Sequence, residues 1–494
     1  MGTMRFLVHL PEMLGNGSGV YRAYLSGAEG RVFPTTIERE ENVIVCRRER
    51  SESGKLHIEW PIPAAGQLVV STTTLPERDE PYLLSVELAR GLISRVRDQA
   101  SSWQIAGMTI PDEFGPLDAE AHRCLVRAIA GNLNPEEACR LADRALEQAH
   151  QAGEIITRAY VRQRKAARRR RSSGMPALLG CRLDAAIPGS HAEAQFRSVF
   201  NAAEVPTSWR EIEHDAGERR WESTDAAVDW CHDQGLFALA GPLLDLSTAG
   251  LPGWLSDWDK DFANLQSFVC DFVETAVSRY SGRIRHWEIA ASASTGGALA
   301  LNEEQRLELT AHALEVARHI DDENQLILRI DQPWGEYQAR GQHRLAPMQF
   351  VDALLRSGVG LSAVNLEIIV GCRPRGTAPR SLLEFSRLID RWSCLGVPLY
   401  ATFGCPSATG DDPQAHPDLD VERTLPDGWS GETVQAEWIE RLLPLVMAKD
   451  AVVGLFWTHF SDRHPHTFPH AGLIRPDGTP KPAWERIRRH PSPG

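Results

Sequence analysis

The stretch Arg285–Ser292 reads RHWEIAAS, and it determines how the second half of the chain is interpreted. Its apolar residues surround a single acid, Glu288, and this pattern predicts a buried β-strand. Because side chains alternate along a strand, Glu288 should share a face with Ala290 and Ser292, about 13 Å below Ser292. A buried carboxylate needs a partner. We therefore expect an ion pair between Glu288 and Arg329 of the next strand rather than a catalytic role.

Similar apolar runs alternate with helical patterns over about 310 residues. Eight strands with intervening helices are what a (β/α)8 barrel requires. The sequence therefore predicts an α/β fold in which a (β/α)8 TIM barrel follows a β-rich N-terminal module and a helical segment. The eight predicted strands are Leu178–Cys181, Gln195–Phe200, Phe237–Ala240, His286–Ala290, Leu326–Ile330, Ala363–Ile369, Pro398–Phe403 and Val452–Trp457.

The first part of the chain has short apolar runs that are separated by turns containing glycine or proline, which predicts a small sandwich-like module. The period then becomes helical from Tyr82 to Trp103, where leucine or valine recurs at every fourth position. The predicted N-terminal strands are Phe6–Val8, Gly19–Leu25, Asn42–Cys46 and Gln67–Ser71.

A second helix is predicted to begin at Asn134-Pro135-Glu136-Glu137, since this tetrapeptide has a cap, a proline at the first position and acids in the first turn. It leads to the basic run Arg162–Arg171, which we interpret as a solvated helix end plus a linker, with a nucleic-acid or anion contact as the alternative. The predicted domains are a β-rich module with a closing helix (1–110), a helical connector with the basic run (111–175) and the barrel (176–494).

Short motifs follow one another in a defined order between Leu178 and Arg489. They include Phe200-Asn201, Arg279–Ile284, Pro333–Tyr337, Gly396–Phe403, Gly454–Trp457 with Asp462, Gly472-Leu473 and Lys481–Ala483. This series resembles family 10 of the glycoside hydrolases, the xylanase family. The resemblance implies a TIM barrel that acts on a polysaccharide.

The positions that carry the chemistry of that family differ here. The resemblance aligns its acid/base Glu on strand four with Ser292, and its nucleophile on strand seven with Phe403. The family's strand-six His is Ile369. A retaining glycosidase needs two carboxyl groups about 5–5.5 Å apart, and loss of a nucleophile costs on the order of 10⁴- to 10⁶-fold in rate. We therefore expect the site to be inactive by the family's mechanism.

Other acids are candidates for a relocated catalytic pair, namely Glu367 and Asp462. Glu367 is an acid in an apolar strand near the predicted mouth, and such an acid is costly unless it is paired or used. The alternative role for Glu367 is an ion pair with Arg373 or Arg375 in the following loop.

Candidate sugar-binding residues lie at the ends of strands five and eight, where barrel sites form. They are Trp457, His459, Trp334 and Asp331. Core packing is an equal alternative for Trp457, as loop capping or packing is for Asp331 and Trp334. His459 and its neighbours His464, His466 and His470 show no tight ligand spacing with matching acids, so we expect solvated loop histidines and no metal.

Composition excludes several classes of partner. The net charge of −13 argues against nucleic-acid binding by the whole chain, and no stretch approaches the ~20 apolar residues of a membrane span. The nine cysteines are dispersed and form no Cys-x-x-Cys pair, and we recognise no signal peptide. We therefore predict a cytoplasmic protein without a cofactor, whose partner is a polysaccharide or oligosaccharide.

Three functions fit these observations. The first is a catalytically degenerate barrel that binds a xylan-like or other glycan at its mouth. The second is an active O-glycosyl hydrolase in which Glu367 and Asp462 replace the lost pair. The third is a non-catalytic structural or assembly protein, for which a cleft closed by large apolar side chains such as Phe403 would be evidence. A fold alone does not choose among them.

Overall fold

The structure, a computed structural model, describes residues 2–9, 18–63, 65–130, 133–171, 178–184, 192–248, 250–341, 343–422 and 431–489. Two four-stranded sheets form the N-terminal module, with strand orders β4-β5-β1-β8 and β3-β2-β6-β7. Their strands are β1 (Gly2–Leu7), β2 (Tyr24–Ser26), β3 (Val32–Phe33), β4 (Thr36–Glu40), β5 (Val43–Arg48), β6 (Lys55–Ile62), β7 (Gly66–Ser71) and β8 (Tyr82–Leu83).

One predicted strand of this module is wrong. The run Gly19–Leu25 begins in a short helix, α1 (Ser18–Tyr21), and the strand starts only at Tyr24. A turn, closed by the Ala23 amide donating to the Val20 carbonyl at 3.0 Å, separates the two. The sequence prediction also missed β6, whose Lys55–Trp60 segment alternates polar and apolar residues as a half-buried strand should.

Three helices pack together after the sheets, namely α2 (Leu84–Ile105), α3 (Phe114–Ala130) and α4 (Pro135–Arg171). The predicted helix at Tyr82–Trp103 is confirmed as α2 from Leu84 onwards, whereas its first two residues form β8. The predicted start of α4 is also confirmed, because the Asn134 side chain accepts from the Glu137 amide at 2.9 Å.

The basic run is not a freely solvated helix end. It lies within α4, and Arg168 donates to the Lys449 carbonyl at 3.1 Å and to the Asp450 carboxylate at 3.0 Å. Arg164 contacts the same carboxylate. The anion that these two arginines bind is therefore part of the barrel. The predicted linker Ser172–Gly174 lies outside the described residues.

Eight parallel strands close into a barrel, which confirms the predicted TIM-barrel fold. The last barrel strand pairs with the first, and the third pairs with the fourth, so the sheet has no open edge. In order the barrel strands are β9 (Leu178–Arg182), β10 (Ala202–Val205), β11 (Phe237–Ala240), β13 (His286–Ala291), β14 (Gln325–Asp331), β15 (Leu361–Ile369), β17 (Leu399–Gly404) and β19 (Val452–Trp457).

Three short strands lie at the carboxyl ends of the barrel strands. The strand β12 (Leu244–Asp245) extends the sheet beside β13, and β16 (Cys372–Arg373) pairs with β18 (Asp420–Val421). The outer helices are α5 (Ala192–Arg197), α6 (Trp209–Ile212), α7 (Glu222–Asp233), α8 (Phe262–Arg279), α9 (Glu303–Ile320), α10 (Pro347–Ser357), α11 (Leu382–Ser393), α12 (Glu432–Met447) and α13 (Pro482–Arg488). Within the described ranges, none of the helices is both long and apolar enough to cross a membrane.

The predicted second strand, Gln195–Phe200, is wrong. The first half of this segment is the end of the helix α5, and the strand is β10, which begins at Ala202. Phe196 and Phe200 are four residues apart, and their ring centroids lie 4.9 Å apart, as expected for residues on one face of a helical turn. Burial of these two aromatic rings therefore favours the helix over the strand.

The N-terminal module contacts the barrel at the loops after β14 and β15. The Thr35 amide donates to the Ala339 carbonyl at 3.0 Å, and the Val69 amide donates to the Pro379 carbonyl at 2.9 Å. Leu383 at the start of α11 is buried in the same core as the module's sheets. Both loops are at the carboxyl ends of barrel strands, so the module lies beside the barrel mouth.

Candidate functional site at the barrel mouth

A buried ion-pair network occupies the barrel interior above an apolar layer that includes Tyr400 and Phe456. Arg329 on β14 is at its centre. The guanidinium contacts Glu288, lies 2.8 Å from Glu204 and 3.4 Å from Glu367. The predicted ion pair between Glu288 and Arg329 is thus confirmed. Burial raises the pKa of Glu288, although Arg329 opposes the rise.

At the mouth, Glu367 on β15 and Asp245 on β12 both face Arg375. The Arg375 guanidinium lies 3.1 Å from Glu367 and 3.6 Å from Asp245. The ion-pair role weighed for Glu367 is thus found with Arg375, whereas Arg373 contacts Glu422 instead. Burial acts to raise the pKa of Asp245, but Arg375 and local hydrogen bonds lower it, so this carboxyl is held ionised.

Asp331 ends β14 directly beside Glu367, its register partner on β15. It accepts a hydrogen bond from the Thr295 hydroxyl at 2.8 Å. Its other carboxyl oxygen, Oδ1, is buried and has no hydrogen-bond partner among the described residues. Burial raises the pKa of Asp331 to about 6, with Arg375 acting in the opposite direction. This group is therefore poised to hold or release a proton near neutral pH.

Ser292 follows β13 in a left-handed conformation, with φ 53°. Its hydroxyl is buried, and no described residue hydrogen-bonds to it. The alternation of faces predicted for this strand is interrupted, since the pairing register shifts between Glu288 and Ala290. Ser292 offers a hydroxyl, which does not ionise near neutral pH.

Phe403 and Trp457 do not face the mouth. They are register partners on β17 and β19, and both side chains lie in the core between the barrel wall and the outer helices. The Trp457 indole donates to the Ala471 carbonyl at 2.7 Å. Of the two roles weighed for Trp457, core packing is the one that the structure shows. The residue next to Phe403 on β17, Thr402, points into the barrel, where it hydrogen-bonds to Asn365.

Trp334 packs on the side of the barrel nearest the N-terminal module. Its ring lies 5.3 Å from Phe385, and the Arg380 guanidinium lies 4.4 Å from its centroid. Arg380 also hydrogen-bonds to Tyr24 of the module at 3.1 Å. These contacts hold the Trp334 ring between elements and correspond to the packing alternative.

His459 and Asp462 form a second cluster after β19. Asp462 lies 3.1 Å from the His459 ring and 2.5 Å from Lys481. Burial acts to raise the pKa of Asp462, but His459 and Lys481 lower it well below its usual value. Glu367 pairs with Arg329 and Arg375 instead, so the two acids of the relocated pair belong to different ion-pair groups.

The expectation of solvated loop histidines is wrong for this cluster, because His459 is 2% exposed. Its ring stacks on that of His466 at 4.2 Å, with planes 12° apart. The side chains of His459, Asp462 and His466 lie close enough to suggest a metal site. However, a metal lies in the plane of each imidazole that binds it, and one ion cannot lie in two stacked planes. Burial lowers the pKa of His459 to about 4, so the ring is neutral.

Sequence reasoning missed two acids at the mouth. Asp245 lies between Leu244 and Leu246. It is an acid within an apolar run, which is the same signal that identified Glu367. Asp184 follows β9, is 7% exposed, and has a pKa that burial raises to about 7. Asp184 lies near the histidine cluster only because of the fold, and no sequence pattern around it predicts this position.

Residues 179–364 match the family model described as glycosyl hydrolase family 10. Endo-1,4-beta-xylanase B of Humicola insolens is 29% identical over 85 residues, which are 17% of this chain and 23% of that protein. The match thus spans less than a quarter of the length of this curated relative.

Among solved structures, xylanase 10B of Thermotoga maritima is 19% identical, with a TM-score of 0.49, over 64% of this chain and 94% of that one. Xylanase B of Clostridium stercorarium F9 is 16% identical, with a TM-score of 0.48, over 63% of this chain and 96% of that one.

Proposed function

We propose that the protein, whose residues 179–364 match the model of glycosyl hydrolase family 10, is a catalytically degenerate member of that family that binds a xylan-like or other glycan at the barrel mouth without cleaving it. One observation carries this proposal. The carboxylates at the mouth, Glu367 and Asp245, are grouped around Arg375, instead of standing opposed as a pair of free acids.

The loss of hydrolysis follows from the chemistry of the aligned positions. Ser292 has no acidic proton to give to a glycosidic oxygen. Phe403 has no nucleophilic atom, and its ring packs against Trp438 on the outer side of the wall. The aligned positions therefore supply neither the acid/base nor the nucleophile that a retaining glycosidase needs to form and hydrolyse a glycosyl-enzyme intermediate.

Binding is supported by the polar character of the mouth. Sugar hydroxyls are recognised by a few convergent hydrogen-bonding groups in a concave site. The buried Oδ1 of Asp331 and hydroxyl of Ser292 lack hydrogen-bond partners in the described part of the chain, and buried polar atoms of this kind are costly unless something binds them. A glycan hydroxyl would satisfy such groups.

The two alternatives differ in their support. The ion pairs of Glu367 and Asp462 speak against the relocated pair, since a carboxylate held by a cation is a weak acid catalyst and a weak nucleophile. The structural or assembly role has one observation in its favour: Arg375 fills part of the mouth, although Phe403 does not.

The cytoplasmic location stays a prediction. It is supported by the nine cysteines, which are all free thiols and of which Cys394 alone is exposed.

The test uses the full chain with xylan, an aryl xylobioside and xylohexaose. We expect calorimetry to detect xylohexaose binding and a reducing-sugar assay to detect no product. Ser292→Ala, which removes one of these unpartnered buried groups, should weaken binding, whereas Glu437→Gln, which removes an exposed carboxylate on α12, should leave it unchanged. Release of sugar that is lost in Glu367→Gln would instead establish the relocated pair. Absence of binding in every variant would favour the structural role.

A further inference from the structure

The mouth of the barrel holds a side chain from its own chain. Arg375 extends from the segment 371–380, which follows β15, and its guanidinium reaches two carboxylates on different strands, Glu367 and Asp245. We propose that Arg375 is an internal ligand of the barrel mouth and that the N-terminal module holds it there, so that the segment 371–380 controls access. The identity of the external ligand rests on the proposed function, but the role of Arg375 does not.

The environment of Arg375 resembles a built binding site. Its side chain is 15% exposed, and its guanidinium lies 5.4 Å from the centre of the Phe468 ring. Burial acts to lower the pKa of Arg375, but Glu367, Asp245 and Asp331 raise it overall, so the cation is firmly held. The guanidinium group is planar, and it favours a position between carboxylates and above an aromatic ring.

The segment that carries Arg375 has a tightly fixed backbone. The Thr377 amide donates to the Ile369 carbonyl at 2.7 Å, and the Gly371 amide donates to the Thr377 carbonyl at 3.1 Å. At Gly376 a β-carbon would lie 2.3 Å from the Cys372 carbonyl oxygen, so the turn requires glycine there. The Gln332 side chain donates to the Pro374 carbonyl at 3.0 Å. Arg375 is thus positioned by its loop as well as by its carboxylate partners.

One end of the segment is linked to the N-terminal module through Glu422, and the other end contacts the module directly. At one end Arg373 contacts Glu422, which also contacts Arg22 of the module. At the other end Arg380 hydrogen-bonds to Tyr24 at 3.1 Å, and the Pro379 carbonyl accepts from the β7 amide already described. The module therefore holds the segment from the side opposite the barrel, and loosening these contacts would free Arg375 to leave the mouth.

A first experiment tests the internal ligand without any glycan. In Arg375→Ala the carboxylate cradle is left empty, so added guanidinium ion should bind in place of the lost side chain. We expect its Tm to rise by about 2 °C when guanidinium is about ten times its dissociation constant, relative to NaCl at equal ionic strength. Wild type and Arg356→Gln, which alters an exposed arginine on α10, should show no such rise. Where Arg375→Ala fails to fold, Arg375→Ala/Glu367→Gln removes both charges and should fold without a guanidinium response.

A second experiment tests the control of access. Tyr24→Phe/Arg373→Gln removes a contact at each end of the segment. We expect faster amide hydrogen exchange in 371–380, and xylohexaose binding by this variant and by Arg375→Ala to be about tenfold tighter than in wild type, since the open state is no longer rare.

The outcomes separate the claims. A folded Arg375→Ala that guanidinium does not stabilise overturns the internal ligand. Unchanged exchange in the double variant overturns the role of the module. If guanidinium stabilises Arg375→Ala and yet no protein binds xylohexaose, the glycan function fails while the internal ligand stands.

Discussion

The rings of Phe403 on β17 and Trp438 on α12 lie 5.7 Å apart, in an edge-to-face contact on the outer side of the barrel wall. The position that the family resemblance aligns with a nucleophile thus belongs to the packing between barrel and helix. We expect Phe403→Glu to create no catalytic group and to bury an unpaired charge, at a cost of about 4 kcal/mol or more. Chemical denaturation would measure this loss.

Phe403→Leu is the matched control, because it keeps an apolar side chain at this position. It should cost only about 1–2 kcal/mol. Xylan hydrolysis by a Ser292→Glu/Phe403→Glu variant that retains wild-type stability would contradict the outward orientation of Phe403.

The pKa of Asp331 predicts a pH-dependent stability. It is raised from 3.8 to about 6, chiefly by burial, so the folded state favours the protonated form. The stability that this preference contributes is complete below pH 3.8 and is lost as the pH rises through 6. At pH 8 Asp331→Asn should therefore be more stable than wild type, by on the order of 2–3 kcal/mol, and near pH 4 the difference should vanish. Urea unfolding across this range would decide.

The pKa of His459 predicts a pH dependence of stability in the opposite direction. Burial lowers its pKa from 6.5 to about 4, so the folded state favours the neutral ring. Its contribution is complete above pH 6.5 and is lost as the pH falls towards 4, by on the order of 3 kcal/mol. In His459→Gln the loss of stability over this interval should be smaller. An identical pH profile in wild type and variant would mean that another group causes the acid transition.

Arg329 is the cation on which the barrel interior depends. Removing it in Arg329→Met leaves Glu204, Glu288 and Glu367 near one another without their shared partner, and we expect a loss of about 3–5 kcal/mol. Glu288→Gln, which retains hydrogen bonding and removes one negative charge, should cost much less. Thermal unfolding of the two variants gives the comparison, and a loss in Arg329→Met no larger than that in Glu288→Gln would contradict the central role of Arg329.

The sequence predicted best where a pattern is local. Alternating strands and helices identified the barrel, and the acid Glu288 between apolar neighbours led to Arg329, because a buried charge must be paired. The capping pattern at Asn134 likewise identified the start of α4, since each of its signals acts within one helical turn.

The prediction failed where long-range packing decides the outcome. The segment Gln195–Phe200 was predicted as a strand, but its residues Phe196 and Phe200 are buried on one face of a helical turn. Phe403 follows the family order of residues, yet its orientation depends on the register with β19. The stacking of His459 on His466 depends on how the loop after β19 folds back, which no local pattern encodes.

The helix α4 begins in the N-terminal part and ends on the barrel. Its 37 residues span about 55 Å, and besides Arg164 and Arg168 it carries Glu154, which Arg441 of α12 contacts at 2.5 Å. A protease cut between Arg171 and Leu178 would therefore leave two fragments that remain associated through the contacts of α4 with the barrel. We expect them to elute as one species in size-exclusion chromatography under native conditions. Separation of the fragments would require denaturant rather than proteolysis.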